Sequence, residues 1–306
     1  VESRTPLHRA GRNDKMKILY FTTNDPKYGF TKEIESSLKT LGHTVETIND
    51  QEFDIHKLVE KVNGFDMFLF HQGGIYTDSE INYTISLERL KQLLQVIKCK
   101  KVCWFLDKGW FLNNRTLEEI IPLTDYTFLN DGNWARRHKY ENVYELHAGA
   151  PKPLKGKPRE EYKCEIAYYG EIHGFRKPFI DLLKKTYGKE FKIFNNVYGQ
   201  DLADLITSAK MVFTPVQPNE DFYWCNRIYE ILAHGGIAVY PKLEGLKEEG
   251  FVSEKHYFGY KRPGELIEII NDVIDGKKTD GQEFVKQFSY KNRLKELLSI
   301  CQTNQK

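Results

Sequence analysis

Asn226-Arg227-Ile228-Tyr229-Glu230-Ile231-Leu232-Ala233-His234-Gly235-Gly236-Ile237-Ala238-Val239-Tyr240 reads as three pieces in a row. Ile231, Leu232 and Ala233 are good helix residues. The Gly235-Gly236 pair ends the helix, because glycine enters the left-handed cap conformation at little cost. Ile237-Ala238-Val239 is short, apolar and β-prone, so a buried strand follows. Arg227 and Glu230 stand one turn apart on one helix face. A carboxylate beside a glycine turn suits a ribose diol and its neighbouring phosphates. The carboxylate accepts from two hydroxyls, and bare backbone N–H groups can approach an anion closely.

Outward from this stretch, strands and helices alternate. In the first half, apolar strands are predicted at 17–21, 43–48, 65–70, 101–106, 126–129 and 143–146. Helical spacing appears at 30–41, 54–62, 85–97 and 117–121. In the second half, strands at 164–169, 191–194, 211–214 and 237–240 alternate with helices at 177–186, 201–208, 227–234 and 264–274. A last helix is expected at 290–298. Such alternation marks parallel, doubly wound sheets, whose ligand loops lie at the carboxyl ends of the strands. The loops at 24–29, 71–74, 107–110 and 130–133 therefore merit attention. Composition shifts at 148–162, where Pro151, Pro153 and Pro158 mingle with Lys152, Lys155, Lys157 and Arg159 as in a linker.

Three sets of residues resemble the GT-B glycosyltransferases, most closely the CgeB-like branch and the group 1 family. They are the Arg227-x-x-Glu230 helix with its Gly235-Gly236 turn, the strand and turn Ala167-Tyr168-Tyr169-Gly170-Glu171 through Lys177, and Phe288-Ser289-Tyr290 through Leu294. The resemblance implies an α/β fold of two doubly wound Rossmann-like domains facing a cleft, with a C-terminal helix returning to the first domain. The expected layout is a flexible leader at 1–15, an N-terminal acceptor domain at 16–150 and a linker at 151–162. A nucleotide-sugar donor domain at 163–280 and a crossover helix and tail at 281–306 complete it.

The resemblance also implies a function: transfer of a sugar from a nucleotide-diphosphate donor to an acceptor hydroxyl, with retained anomeric configuration. The candidate donor-binding residues are Glu230, Arg227, Arg176, Lys177, Gly170, Gly235, Gly236, Asn226 and Tyr223. Glu230 would hold the ribose, while Arg176, Lys177 and Arg227 would neutralise the diphosphate that departs with negative charge. One departure stands out. Many retaining members carry a second glutamate eight positions before the first, touching the sugar, and Phe222 occupies that place here.

On the acceptor side, Asp107 closes one strand and His71 another. Either would orient or deprotonate a hydroxyl, and both are candidate catalytic residues. Asn24, Asp25, Tyr28, Gly73 and Gly74 form the candidate acceptor-binding rim. Each has a plainer reading beside it: Asp107 as a cap, His71 as a satisfied structural histidine, and Arg227–Glu230 as an intrahelical ion pair.

Composition narrows the field. The 306 residues carry 45 Lys and Arg against 43 Asp and Glu, so the chain is close to neutral. Residues 1–17 alone hold Arg4, Arg9, Arg12, Lys15 and Lys17 against Glu2 and Asp14, a net +3. A globally basic nucleic-acid binder is not indicated. The five cysteines lack a C-x-x-C pair, which speaks against a disulfide framework or structural zinc and fits a reducing cytoplasm. No Asp-x-Asp triplet occurs, and the histidines show no ligand spacing. No metal or cofactor is therefore expected beyond the donor itself. The expected partners are a nucleotide sugar and an acceptor glycan or cell-surface component. The alternatives are a phage-type enzyme acting on 5-hydroxymethylated pyrimidines in DNA, with the 136–139 and 152–159 basic runs facing phosphates, and a non-catalytic nucleotide-sugar binder. No apolar run is long enough to span a bilayer.

Overall fold

The computed structural model describes residues 15–22, 29–49, 55–71, 87–106, 114–172, 174–215 and 220–303. Two parallel sheets form. The first joins β1 (Lys17–Thr22), β2 (Thr44–Asn49), β3 (Met67–His71), β4 (Lys100–Phe105), β5 (Tyr126–Leu129) and β6 (Val143–Glu145) in the order β2-β1-β3-β4-β5-β6. Its connecting helices are α1 (Phe30–Thr40), α2 (Ile55–Val62), α3 (Leu87–Val96), α4 (Asn114–Ile120) and α5 (Gly132–Arg137). The second sheet joins β7 (Cys164–Tyr169), β8 (Phe191–Phe194), β9 (Ala209–Phe213), β10 (Ala238–Pro241) and β11 (Phe258–Tyr260) in the order β11-β10-β9-β7-β8. Its helices are α6 (Arg176–Tyr187), α7 (Gly199–Ser208), α8 (Arg227–Ala233), α9 (Glu244–Glu248), α10 (Pro263–Ile274) and α11 (Gly281–Val285). The last helix is α12 (Tyr290–Thr303).

Both faces of each sheet are covered, and the side-chain alternation of β1 shows how. Ile18 and Tyr20 point one way, to Ile34 and Leu38 of α1. Leu19 and Phe21 point the other way, to Leu58, Leu90 and Leu94. Helix α12 does not stay with the second sheet. Tyr290, Leu294, Leu297 and Cys301 pack into the first domain's core with Trp104 and Phe128. The two-domain architecture and the returning helix are those expected from the sequence.

Each sheet reverses its winding once. In the first the reversal falls between β1 and β3, and in the second between β7 and β9. Crevices open at such points, outside the carboxyl ends of the strands. The ends concerned are Thr22 and His71 in the first sheet, and Tyr169 and Phe213 in the second.

Four elements differ from expectation. Residues 130–133, read as a loop, begin helix α5, because the Asp131 side chain accepts from the Trp134 amide at 3.1 Å and caps it. Strand β11 has glycine at its centre and only three residues, so it carries no legible periodicity. It forms because β10 offers a parallel edge, pairing Val239 with Phe258 and Pro241 with Tyr260. Helices α9 and α11, five residues each, are too short for an amphipathic pattern.

The proline-rich segment after residue 150 is not loose. The Leu154 amide donates to His234 Nδ1 at 3.2 Å, Lys157 to Asp204 Oδ1 at 2.9 Å, and Arg159 to Ser208 Oγ at 2.8 Å. Gly156 lies so close to Ala203 and Thr207 that a methyl group there would collide with both. Of the basic runs, Arg159 is occupied by Glu161 and Asp201, and Arg136 by Glu145 and Glu248. These two guanidinium groups are therefore exposed but already paired with carboxylates. No helix among the described residues is long and apolar enough to cross a membrane.

Candidate active site

The site is built where β7 ends and α8 begins. Gly170 follows β7 with φ +110°, a conformation that side chains rarely adopt. The guanidinium of Arg227 fills the space a side chain would need there, with Nη2 only 2.8 Å from where a Cβ would stand. The same guanidinium lies over the Tyr169 ring, 5.6 Å from its centroid. Its Nη1 is buried and has no hydrogen-bond partner. Glu230 turns to other neighbours: Oε2 accepts from the Tyr169 hydroxyl at 2.9 Å, and Oε1 from Asn226 Nδ2 at 2.8 Å. So Arg227 and Glu230 share a helix face as expected, yet Tyr169 and Asn226 hold the carboxylate. Burial pushes the Glu230 carboxyl above its ordinary range, against the Tyr169 hydroxyl and the Arg227 charge, which favour the anion.

Arg176 opens α6 on the other side of the turn. Its Nη1 donates to the Glu171 carbonyl at 3.2 Å, while its Nε is buried without a partner. The Tyr168 hydroxyl donates to the same carbonyl at 2.7 Å and fixes the turn. Two arginines with unsatisfied, buried N–H groups thus flank the end of β7. A buried N–H without an acceptor costs about 1–3 kcal/mol, so a group that supplies an acceptor there is strongly favoured. Nearby on β9's end, Thr214 Oγ1 is buried and equally unpartnered.

Several residues named from the sequence are elsewhere occupied. Lys177 is exposed and pairs with Asp181 at 2.6 Å, an ordinary i,i+4 ion pair. Gly170 donates its amide to Phe194 O at 3.0 Å, so it contributes room and not an N–H group. The amides of Gly235 and Gly236 donate to Leu232 O at 3.0 Å and Ile231 O at 2.9 Å, closing the helix on itself. Gly235, at φ +82°, is the left-handed cap, and Gly236 packs against Ile206 and Ile231. Their expected role as anion donors therefore gives way to capping and packing. Tyr223 is buried in the second domain's core, with 4% of its surface exposed.

In the first domain, His71 is 4% exposed. Its Nδ1 meets the Tyr20 hydroxyl at 2.7 Å and its Nε2 the Thr22 hydroxyl at 3.0 Å. Burial pulls its pKa down to about 3. A neutral ring with both nitrogens engaged braces the ends of β1 and β3 and has no free lone pair for an acceptor hydroxyl. Asp107, Asn24, Asp25, Tyr28, Gly73 and Gly74 lie outside the described residues.

Two residues escaped the sequence reading. Tyr169 supplies both the ring beneath Arg227 and the hydroxyl on Glu230; its place before Gly170 was the available signal. Tyr290, at the start of α12 and buried in the first domain's core, has its hydroxyl pKa raised well above the usual range by burial and then by the charge of Glu230. Among the described residues no group of three or more His, Cys, Asp or Glu side chains is arranged to hold a metal ion.

Residues 159–299 match the family described as glycosyl transferase-like. That match covers the second domain and the last helix, and the two-domain fold is the one seen in GT-B glycosyltransferases. Among solved structures, the chain resembles an alpha-glucosyltransferase in complex with UDP and a 13-mer DNA containing an A:G mismatch, at 15% identity over 94% of this chain and 99% of that one, with a TM-score of 0.67. An alpha-glucosyltransferase complex with UDP-glucose and DNA containing an abasic site matches at 16% identity over the same shares, with a TM-score of 0.66. An alpha1,3-fucosyltransferase matches at 11% identity over 98% of this chain and 94% of that one, with a TM-score of 0.54. No curated protein matches the chain by sequence.

Proposed function

We propose that this protein transfers a sugar from a UDP-sugar to an acceptor hydroxyl, with retention of configuration and without a bound metal ion. The observation that carries the reading is the Arg227 guanidinium, buried at the end of β7 with Nη1 unpartnered and Glu230 alongside. A diphosphate supplies the missing acceptors. As the sugar leaves, negative charge builds on the β-phosphate, and Arg227 and Arg176 are placed to stabilise it without rearranging. Glu230 would take the ribose hydroxyls by exchanging its bonds to Asn226 and Tyr169. A retaining front-face attack guided by the leaving phosphate needs no protein nucleophile. Asp107 is the proposed group to orient the acceptor hydroxyl, since His71 is engaged on both nitrogens.

For the acceptor, the hydroxymethyl group of a modified pyrimidine in DNA is the favoured reading. Its support is that DNA-bound alpha-glucosyltransferases, one of them with an HMU base, resemble this chain along 94% of its length. A glycan hydroxyl is the second reading, supported by the lower likeness to the fucosyltransferase.

The test is calorimetric titration of UDP, GDP, ADP and CDP into wild type and Glu230→Ala, then transfer of labelled glucose from UDP-glucose to hydroxymethylated duplex DNA in the presence of EDTA. UDP binding that is weakened in the variant, followed by EDTA-resistant labelling, supports the whole proposal. UDP binding without labelling would move the acceptor to glycans. A protein that binds none of the nucleotides would sink the reading.

A further inference from the structure

The segment leading into α8 reaches the first domain, which grips it at Phe222 and Trp224. Asn130, at the end of β5, has no exposed surface. Its side-chain amide bridges two segments: Nδ2 donates to the Trp224 carbonyl at 2.8 Å, and Oδ1 accepts from the Ala148 amide at 2.9 Å. Two residues further on, the Gly132 amide donates to the Phe222 carbonyl at 2.8 Å. Donors two apart on one chain thus meet carbonyls two apart on the other. The Arg136 guanidinium covers the Phe222 ring at 3.7 Å, and His147 stacks on Trp224 at 3.6 Å.

The second domain closes on the same segment from its own side. Gly245 donates to the Asp221 carbonyl at 2.8 Å and lies under Trp224, where a Cβ would come within 2.5 Å of the indole. Gly132 is equally crowded, with the Phe222 carbonyl 2.9 Å from where its Cβ would stand. The segment is therefore held between two glycines, one from each domain. Two residues after Trp224 come Asn226, Arg227 and then Glu230.

We infer that Asn130 is a positioning residue for transfer: through the Trp224 carbonyl it registers the donor helix against the acceptor domain. The inference rests on the proposed glycosyl transfer and adds a residue of the acceptor domain that touches neither substrate. The donor pocket itself is set by the second domain's core, where Ile228, Tyr229, Ile231 and Leu232 are fully buried. Loss of the grip should therefore leave donor binding nearly intact and disturb the distance between donor and acceptor, to which transfer rates are steeply sensitive.

The experiment compares wild type, N130A and N130D for melting temperature, UDP affinity, and turnover of UDP-glucose with hydroxymethylated duplex DNA. The expected result for N130A is UDP affinity within about threefold of wild type and kcat at least tenfold lower at saturating donor. N130D keeps the acceptor for Ala148 but at pH 8 loses the donor for Trp224, so it should match N130A there. As pH falls and the buried carboxyl protonates, it regains an O–H donor, and its kcat should recover relative to wild type. Should N130A keep kcat within twofold of wild type, or lose UDP affinity in step with kcat, the positioning role is overturned. A wild type that neither binds UDP nor consumes UDP-glucose overturns the functional reading along with it, an outcome recognisable without either variant.

Discussion

Replacing Arg227 by methionine removes a charge of the proposed donor pocket while roughly keeping its volume, and the structure sets the size of two opposed effects. In the free protein, R227M loses a guanidinium–ring contact with Tyr169, worth about 0.5–2 kcal/mol. It also removes a buried N–H that has no acceptor, which relieves about 1–3 kcal/mol. The net change in stability lies between a loss of about 1 and a gain of about 2.5 kcal/mol. With UDP bound, the same substitution deletes one or two charge-assisted hydrogen bonds to phosphate, or about 2–4 kcal/mol. At 1.4 kcal/mol per decade, UDP should bind roughly 30- to 700-fold more weakly. Uridine, which lacks phosphates, should bind within about threefold of wild type. Thermal unfolding and calorimetric titration of UDP, UMP and uridine measure all of these quantities. If R227M bound UDP within twofold of wild type, or lost uridine as severely as UDP, Arg227 would not be meeting the diphosphate.

Two further outcomes follow from the geometry. The pKa of His71 falls from 6.5 to about 3 on folding, so the unfolded chain binds the proton more tightly. Its contribution to stability is complete above pH 6.5 and is lost as pH falls toward 3, at up to about 1.4 kcal/mol per pH unit. Denaturant unfolding of wild type should therefore lose stability more steeply than H71N between pH 6.5 and 4; equal slopes would mean that the ring titrates normally. Gly236→Ala places a methyl 2.5 Å from Ile206 Cγ2 and 3.0 Å from Ile231 Cγ2. Overpacking of this kind costs about 1–3 kcal/mol, so the melting temperature should drop while UDP affinity holds. The reverse pattern, weaker UDP binding at unchanged melting temperature, would return Gly236 to the anion site.

The alternating elements were readable because each carried its own signal. The β7, β9 and β10 strands are apolar runs, and α8 ends on a glycine pair whose conformation follows from local sterics alone. The role of those glycines was less readable: a pattern shows that a tight turn is present, but the amides go to the nearest carbonyls, which here are Leu232 and Ile231 of the same helix. The plainer alternative for Arg227-x-x-Glu230, an intrahelical ion pair, failed for a similar reason. Helical spacing puts the two on one face, yet Tyr169, 61 positions earlier, reaches the carboxylate first. Phe222 looked like a defect in the sugar-binding pattern. It is a contact to the other domain, lying under Arg136 from α5, and nothing near it in sequence could announce that. Strand β11 needed a neighbouring edge before three residues with a central glycine could extend.

The segment after residue 150 also bears on how such a molecule can move. Its amides are fastened to the second domain from Leu154 to Arg159, so that stretch turns with the domain as part of its surface. The chain crosses between domains at two places, which lie side by side: Ala150 donates to Phe288 O at 2.8 Å, and Tyr290 donates back to Ala150 O at 3.3 Å. Any opening between the domains must therefore turn about this short pin of two laced backbones and break the bonds that Asn130 and Gly132 make to Trp224 and Phe222. Lengthening the proline-rich stretch would leave the swing of the domains unchanged, whereas one added residue at the pin would alter its axis.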